Sequence, residues 1–259
     1  MKMKKFISML MIAACVCSMA ACGSKEKAGS EEEKGGEEKK TLIMATNAEF
    51  PPYEYHEGDD IVGIDAEMAA AVAEELGMDF KIEDMAFDSI IPAVDSGKAD
   101  IGVAGMTVIE DRLQNVNFSD TYAKATQVVI VKEGSDIAGP DDLTGKKVGV
   151  QLGTTGDIYA SDIKDAEVEQ YNKGFEAVQA LTQEKIDAVV IDGEPAKEFV
   201  KDADGLKILD EAFTEEEYAI AIAKDNEELL EQVNGALKSL KESGKLDEIV
   251  AKYIKSDAE

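Results

Sequence analysis

Apolar positions along the chain come in short runs, separated by stretches where apolar and polar residues alternate at helical spacing. The run Thr41–Thr46 (TLIMAT) is too short for a helix and predicts a strand. A helix follows over 65–76, with Asp65 as a plausible N-cap and Gly77 just past its end. Next come a strand over 80–85, a short helix over 88–96 closed by Gly97, and a strand over 99–104. Two more strands are predicted over 127–131 and 147–151. The final third carries a long helix over 226–243, stopped by Gly244, and another over 246–254. Short apolar strands separated by helices predict parallel sheets in an α/β fold.

One stretch of this pattern occurs twice. Phe87-Asp88-Ser89-Ile90 leads through a helix to Lys98-Ala99-Asp100, and Phe175-Glu176-Ala177-Val178 leads through a helix to Lys185-Ile186-Asp187, with a one-residue gap between the copies. If the copies are similar lobes, Gly105 and Asp192 take equivalent places just past the carboxyl ends of buried strands. Open α/β sheets bind ligands there, and two such edges imply a cleft between lobes. The alternative is a pair of helix–strand units that merely look alike.

The N-terminus has a different composition. Residues 1–22 begin with Lys2, Lys4 and Lys5 and continue as an apolar stretch from Phe6 to Ala21. This is the pattern of a secretory signal, and it is shorter than the roughly 20 apolar residues a membrane span needs. The stretch ends Met19-Ala20-Ala21-Cys22, which resembles the bacterial lipobox with Met19 in place of the usual Leu. That resemblance makes Cys22 the lipidated first residue of the mature chain. Cys15 and Cys17 would be lost with the leader, leaving no cysteine pair to form a disulfide. The alternative is an ordinary cleaved signal that leaves a free thiol. Residues 23–40 (GSKEKAGSEEEKGGEEKK) have no apolar residue larger than Ala and read as a charged flexible tether.

Composition narrows the partners. The 259-residue chain has 55 acidic and 27 basic residues, a net charge of −28. Nucleic acid is therefore excluded as an expected partner, as is an anionic membrane surface bound by charge alone. His56 is the sole histidine, so no His-cluster metal site is expected, and any catalytic triad must pass through it. No metal and no cofactor is expected. Among the 27 cationic residues Arg112 is the sole arginine. A guanidinium grips a carboxylate through two parallel hydrogen bonds, which an ammonium cannot match. Gly105 and Thr107, just upstream, add close backbone approach and a hydroxyl. The competing reading is a surface arginine paired with Glu110 or Asp111.

Taken together, several motifs resemble the polar amino-acid-binding proteins of ABC importers, solute-binding protein family 3. They are Ala45-Thr46-Asn47-Ala48-Glu49-Phe50-Pro51-Pro52-Tyr53, Val62-Gly63-Ile64-Asp65, Ala104-Gly105-Met106-Thr107-Val108-Ile109-Glu110-Asp111-Arg112, Phe118-Ser119-Asp120, Gly149-Val150-Gln151-Leu152-Gly153-Thr154-Thr155 and Asp187-Ala188-Val189-Val190-Ile191-Asp192. The resemblance runs from about Leu42 to Ile254. It implies a two-lobe α/β fold of the type II periplasmic-binding-protein kind, with the ligand cleft between lobes joined by two crossover strands. Lobe 1 would be 41–124 and 220–259, and lobe 2 would be 125–219.

By the same resemblance, Arg112 grips the ligand α-carboxylate, helped by Thr107 and by Thr155 at a helix N-terminus. Asp192 accepts the α-ammonium, with the Gly105 carbonyl as a second acceptor. Phe50 and Phe87 flank the ligand side chain, and Asn47, Ala104, Gln151 and Thr154 line the rest of the cleft. Asn47 stands where some basic-amino-acid binders carry an acid, whereas Ala125-Thr126-Gln127-Val128-Val129 looks like members that bind basic ligands. Glu49 and Asp88 are acids near the expected pocket. The implied ligand is a free polar amino acid, basic or amide-bearing. The implied partner is an ABC importer permease, and the implied state is an extracytoplasmic monomer, anchored to the membrane by lipid at Cys22. No catalytic residue is assigned. A dehydratase-like enzyme on the same fold and a ligand-sensing lipoprotein uncoupled from transport remain as alternatives.

Overall fold

The computed structural model describes residues 40–201 and 203–255. The leader, Cys22 and the tether up to residue 39 lie outside the described residues.

The chain builds two lobes, each around its own sheet. The first sheet has the strand order Asp79–Asp84, Thr41–Thr46, Ile101–Gly102, Ala221–Ala223, Val116–Phe118. The second has the order Glu167–Tyr171, Lys147–Gln151, Ala188–Asp192, Ala123–Lys132, Leu206–Ile208, and Thr214–Tyr218 also pairs with Ala123–Lys132. Every strand of the first sheet thus precedes residue 119 or follows residue 220.

The strands Ala123–Lys132 and Thr214–Tyr218 join the two halves. They run antiparallel, with Tyr218 opposite Ala123 and Glu216 opposite Ala125. A bridge between Thr107 and Tyr218 ties the returning strand to the first lobe.

The central strands are buried on both faces, which accounts for their unbroken apolar runs. Val128 and Ile130 pack into one core cluster, whereas Val129 and Val131 point into another. The strand Ala188–Asp192 divides in the same way, with Val189 and Ile191 on one side and Ala188 and Val190 on the other. In the first lobe, the helix Ile64–Glu75 turns Ile64, Met68 and Val72 inward at four-residue spacing. The C-terminal helix Glu227–Glu242 answers with Leu229, Val233, Leu237 and Leu240. Each such side chain contributes about 1.5–3 kcal/mol when buried.

Three sequence expectations are corrected. The sheets are mixed rather than parallel. Ala221–Ala223 runs antiparallel to Ile101–Gly102, and Ala123–Lys132 runs antiparallel to Ala188–Asp192. A chain that crosses between lobes and returns must enter each sheet once in the opposite sense. Asp65 does not cap its helix. Gly63 holds the N-cap position without a side-chain bond, and Asp65 is fully buried. The strand expected over 99–104 shortens to Ile101–Gly102, because Ala104-Gly105 leaves the ladder for the cleft.

Candidate functional site

The loops that follow four strands converge between the lobes. Thr41–Thr46 delivers Asn47, Ile101–Gly102 delivers Ala104, Gly105 and Thr107, Lys147–Gln151 leads to Thr154 and Thr155, and Ala188–Asp192 ends at Asp192. All of these residues, together with Phe50, Phe87, Arg112 and Gln151, line one narrow cavity. Every candidate ligand residue from the sequence is therefore in this wall. Glu54 is an additional member that the sequence did not point to.

Local geometry explains why these residues face inward. Gly105 has φ +52°, and a Cβ there would lie 3.1 Å from the Phe50 ring and 3.2 Å from the Tyr218 ring. A side chain would be both conformationally strained and crowded by two aromatic walls. Thr154 is the N-cap of the helix Thr155–Ser161: its hydroxyl accepts from Asp157 N at 3.3 Å and donates to Gln151 O at 2.8 Å. Capping and lining the cavity are compatible here, since the cap sets the turn that presents Thr155.

Arg112 is buried, not a surface residue paired with Glu110 or Asp111. Its Nη1 donates to Thr107 O at 2.8 Å, and its Nη2 donates across the cleft to Gly153 O at 3.1 Å. The guanidinium carbon lies 5.3 Å from the Phe87 ring centre, in cation–π range. Burial lowers the Arg112 pKa, and the facing carboxylates Glu216 and Asp192 oppose that shift. Asn47 and Gln151 make a second contact across the cleft, with Gln151 Nε2 donating to Asn47 Oδ1 at 2.9 Å.

Around this cation stand the buried acids Glu54, Asp65, Asp192 and Glu216. The Tyr218 hydroxyl donates to Asp192 in a short hydrogen bond. Burial pushes the Asp192 carboxyl up to about 7, and Glu216 adds to that shift while the Tyr218 bond works against it. Asp65 receives Gly105 N and the Tyr122 hydroxyl, both at 2.8 Å. Burial raises its pKa to about 6 despite those donors. Glu54 is raised well above the usual carboxylate range, first by burial and then by the nearby charge of Asp65. The two carboxyls also share a hydrogen bond, which raises Glu54 and lowers Asp65.

Glu49 and Asp88, the acids expected near the pocket, do not line it. Glu49 forms an ion pair with Lys173, and Asp88 is exposed beside a separate surface hollow. Besides Asp192, the acid that reaches the cavity is Glu54, which no spacing singles out. Glu216 has a weak signal in the sequence: it is the middle acid of Glu215-Glu216-Glu217, and strand alternation buries that one and Tyr218 while exposing its neighbours. Among the described residues, no cluster of His, Cys, Asp and Glu is arranged to hold a metal ion, and no helix is long and apolar enough to cross a membrane.

Comparison with known proteins places this geometry. The family described as bacterial extracellular solute-binding proteins, family 3, matches residues 42–256. The arginine-binding extracellular protein ArtP of Bacillus subtilis is 36% identical over 259 residues, covering 97% of this chain and 98% of its own. A probable histidine-binding protein of Neisseria gonorrhoeae is 33% identical over 265 residues, covering 98% of this chain and 97% of its own. Among solved structures, an ancestral arginine-binding protein bound to arginine superposes with a TM-score of 0.79 at 42% identity, covering 83% of this chain and 98% of that one.

Proposed function

The chain belongs to the bacterial extracellular solute-binding proteins of family 3, and on that premise we propose that the polar amino acid it binds for an ABC importer is a basic one, L-arginine foremost. The observation that carries the choice is the charge balance of the cavity. An amino acid's α-carboxylate would meet Arg112, and its α-ammonium would meet Asp192. That leaves Glu54 in the wall and Asp65, a buried pair of acids hydrogen-bonded to each other with no cationic side chain among the groups that act on them. A guanidinium or ammonium on the ligand side chain supplies the charge the pair lacks. Buried carboxyls of raised pKa gain most from such a partner, because pairing returns them to their ionised form. The flat faces of Phe50 and Phe87 suit the aliphatic and planar parts of the same side chain.

In this reading the ligand-binding residues are Asn47, Phe50, Phe87, Ala104, Gly105, Thr107, Arg112, Gln151, Thr154, Thr155 and Asp192, with Glu54 added. Residues 41–124 and 220–259 move as one lobe and 125–219 as the other. The protein acts as a monomer, held outside the cytoplasm by a lipid on Cys22, without catalysing a reaction on its ligand.

A thermal-shift screen against the twenty amino acids tests the proposal. A ligand at 100 times its Kd adds about 2.7 kcal/mol of stability. Arginine is expected to give the largest shift, with lysine and histidine next. Glu54→Gln should erode the arginine shift more than the glutamine shift. A largest shift from an acidic or an aliphatic amino acid would refute the basic-ligand reading. Unchanged arginine after prolonged incubation with the protein separates binding from turnover.

A further inference from the structure

Glu216 lies outside the ring of residues lining the ligand cavity, on the returning crossover strand, yet it organises two of them. Its Oε2 accepts the Thr107 hydroxyl at 2.9 Å, the Thr155 hydroxyl at 3.0 Å and Gln127 Nε2 at 3.1 Å. Thr107 belongs to the first lobe, Thr155 opens a helix of the second, and Gln127 is on the other crossover strand. A single buried oxygen thus collects donors from both lobes and from the link between them. The Tyr159 hydroxyl, on the helix that Thr155 opens, also bonds to this carboxylate.

From this we infer that Glu216 is a positioning residue that pins the Thr107 and Thr155 hydroxyl protons, so that both hydroxyls present lone pairs to the ligand and the two lobes are held closed. The inference rests on the amino-acid-binding reading of the cavity. A carboxylate only accepts, so each threonine must spend its one proton on Glu216. What remains for the cavity is acceptor capacity, in full on Thr107 and in part on Thr155, whose Oγ1 also accepts from Gln127 Nε2 at 3.4 Å. Hydroxyls without a free proton cannot help Arg112 with the α-carboxylate, the role the sequence resemblance implies for Thr107 and Thr155; beside Asp192, two such acceptors suit the α-ammonium and discriminate against a group that carries fewer donors. Opening the cleft moves Thr107 away from Thr155, and one oxygen cannot follow both. Closure and hydroxyl orientation are therefore one event.

The test compares L-arginine with its α-hydroxy analogue, in which the ammonium is replaced by a hydroxyl, by titration calorimetry on wild type and Glu216→Met. An amide would keep an oxygen where Oε2 accepts all three bonds, whereas the thioether, of similar length, accepts only weakly and releases the threonine protons. The wild type should prefer arginine strongly, and the variant should lose at least about tenfold of that preference. A merely structural role would weaken both ligands alike, so an equal loss on the two, or no loss at all, overturns the inference. Thermal unfolding of the ligand-free variant is followed alongside. If Glu216→Met does not fold, Thr155→Val takes its place and should narrow the same preference, since it removes one oriented hydroxyl and leaves Glu216 in position. A wild type that binds no amino acid counts against the proposed function. The inference is then judged on small-angle scattering of ligand-free protein, where Glu216→Met must have a larger radius of gyration than wild type, and equal radii overturn it.

Discussion

At the scale of single residues, the site turns on charge taken out of water. Arg112 is buried with both arms of its fork committed to carbonyls on opposite sides of the cleft. Arg112→Lys keeps the charge but not the fork, and should weaken amino-acid binding by about 2–5 kcal/mol, measurable by calorimetry. A loss of threefold or less would contradict the carboxylate-gripping role. Asp192 gives a pH dependence with a definite sign. Its carboxyl is raised from 3.8 to about 7, so the folded protein holds this proton more tightly than the unfolded chain. Its contribution to the stability of the ligand-free protein is therefore largest at low pH and declines as pH rises from about 4 to about 7. Ligand binding runs the other way, because an ammonium needs the ionised carboxylate. Affinity should be about tenfold lower at pH 6 than at pH 8, and Asp192→Asn should both weaken binding and flatten the profile. A flat wild-type profile across that range would remove Asp192 from the ammonium site.

Individual elements show how turns and caps place those residues. The helix Glu227–Glu242 is started by Asn226, whose side-chain oxygen accepts from Leu229 N at 3.2 Å. Asn226→Ala should lower stability by about 1 kcal/mol without touching arginine affinity, as read by denaturant unfolding and calorimetry on the same samples. Gly105→Ala makes the opposite kind of prediction. The left-handed backbone and the nearby Phe50 and Tyr218 rings leave no room for a methyl group. Binding should suffer more than the fold, because the loop that shifts is the one carrying Thr107 towards the cavity. Alternation within Thr214–Tyr218 decides which of three adjacent glutamates is buried, and a strand of five residues thereby sets a carboxylate behind the ligand site.

For the whole molecule, the contacts of Arg112 with Gly153, Asn47 with Gln151 and Glu49 with Lys173 all span the cleft. In the proposed reading, a ligand whose two charged groups sit on one carbon needs Arg112 from the first lobe and Asp192 from the second at once. Binding is therefore expected to stabilise the closed arrangement through a rotation at the paired crossover strands. Small-angle scattering should show a smaller radius of gyration with saturating arginine, and an unchanged radius would leave a site on one lobe only. Cys22→Ser should release the protein from the membrane fraction of expressing cells. If the variant still pellets as the wild type does, the anchor lies elsewhere.

Much of this was legible in the chain itself. Apolar runs bounded by glycines marked the strands and helices, because burial on both faces of a sheet demands continuous Val and Ile. The lone arginine and the motifs around it marked the cavity wall, where Arg112, Gly105 and Thr107 all lie. What only the tertiary structure decided concerns partners far apart in sequence. Asp65 had the look of a helix cap, yet it is drawn inward by Gly105 N and Tyr122, 40 and 57 residues away. Glu49 and Asp88 were as acidic and as near the motifs as Glu54, but only Glu54 faces the cavity, a matter of which side of a hairpin turns inward. Glu216 reaches Thr107 across 109 residues of chain. Local patterns fix which face of an element is buried. Which polar groups then meet in that buried space depends on how the two lobes close, and no window of sequence contains both.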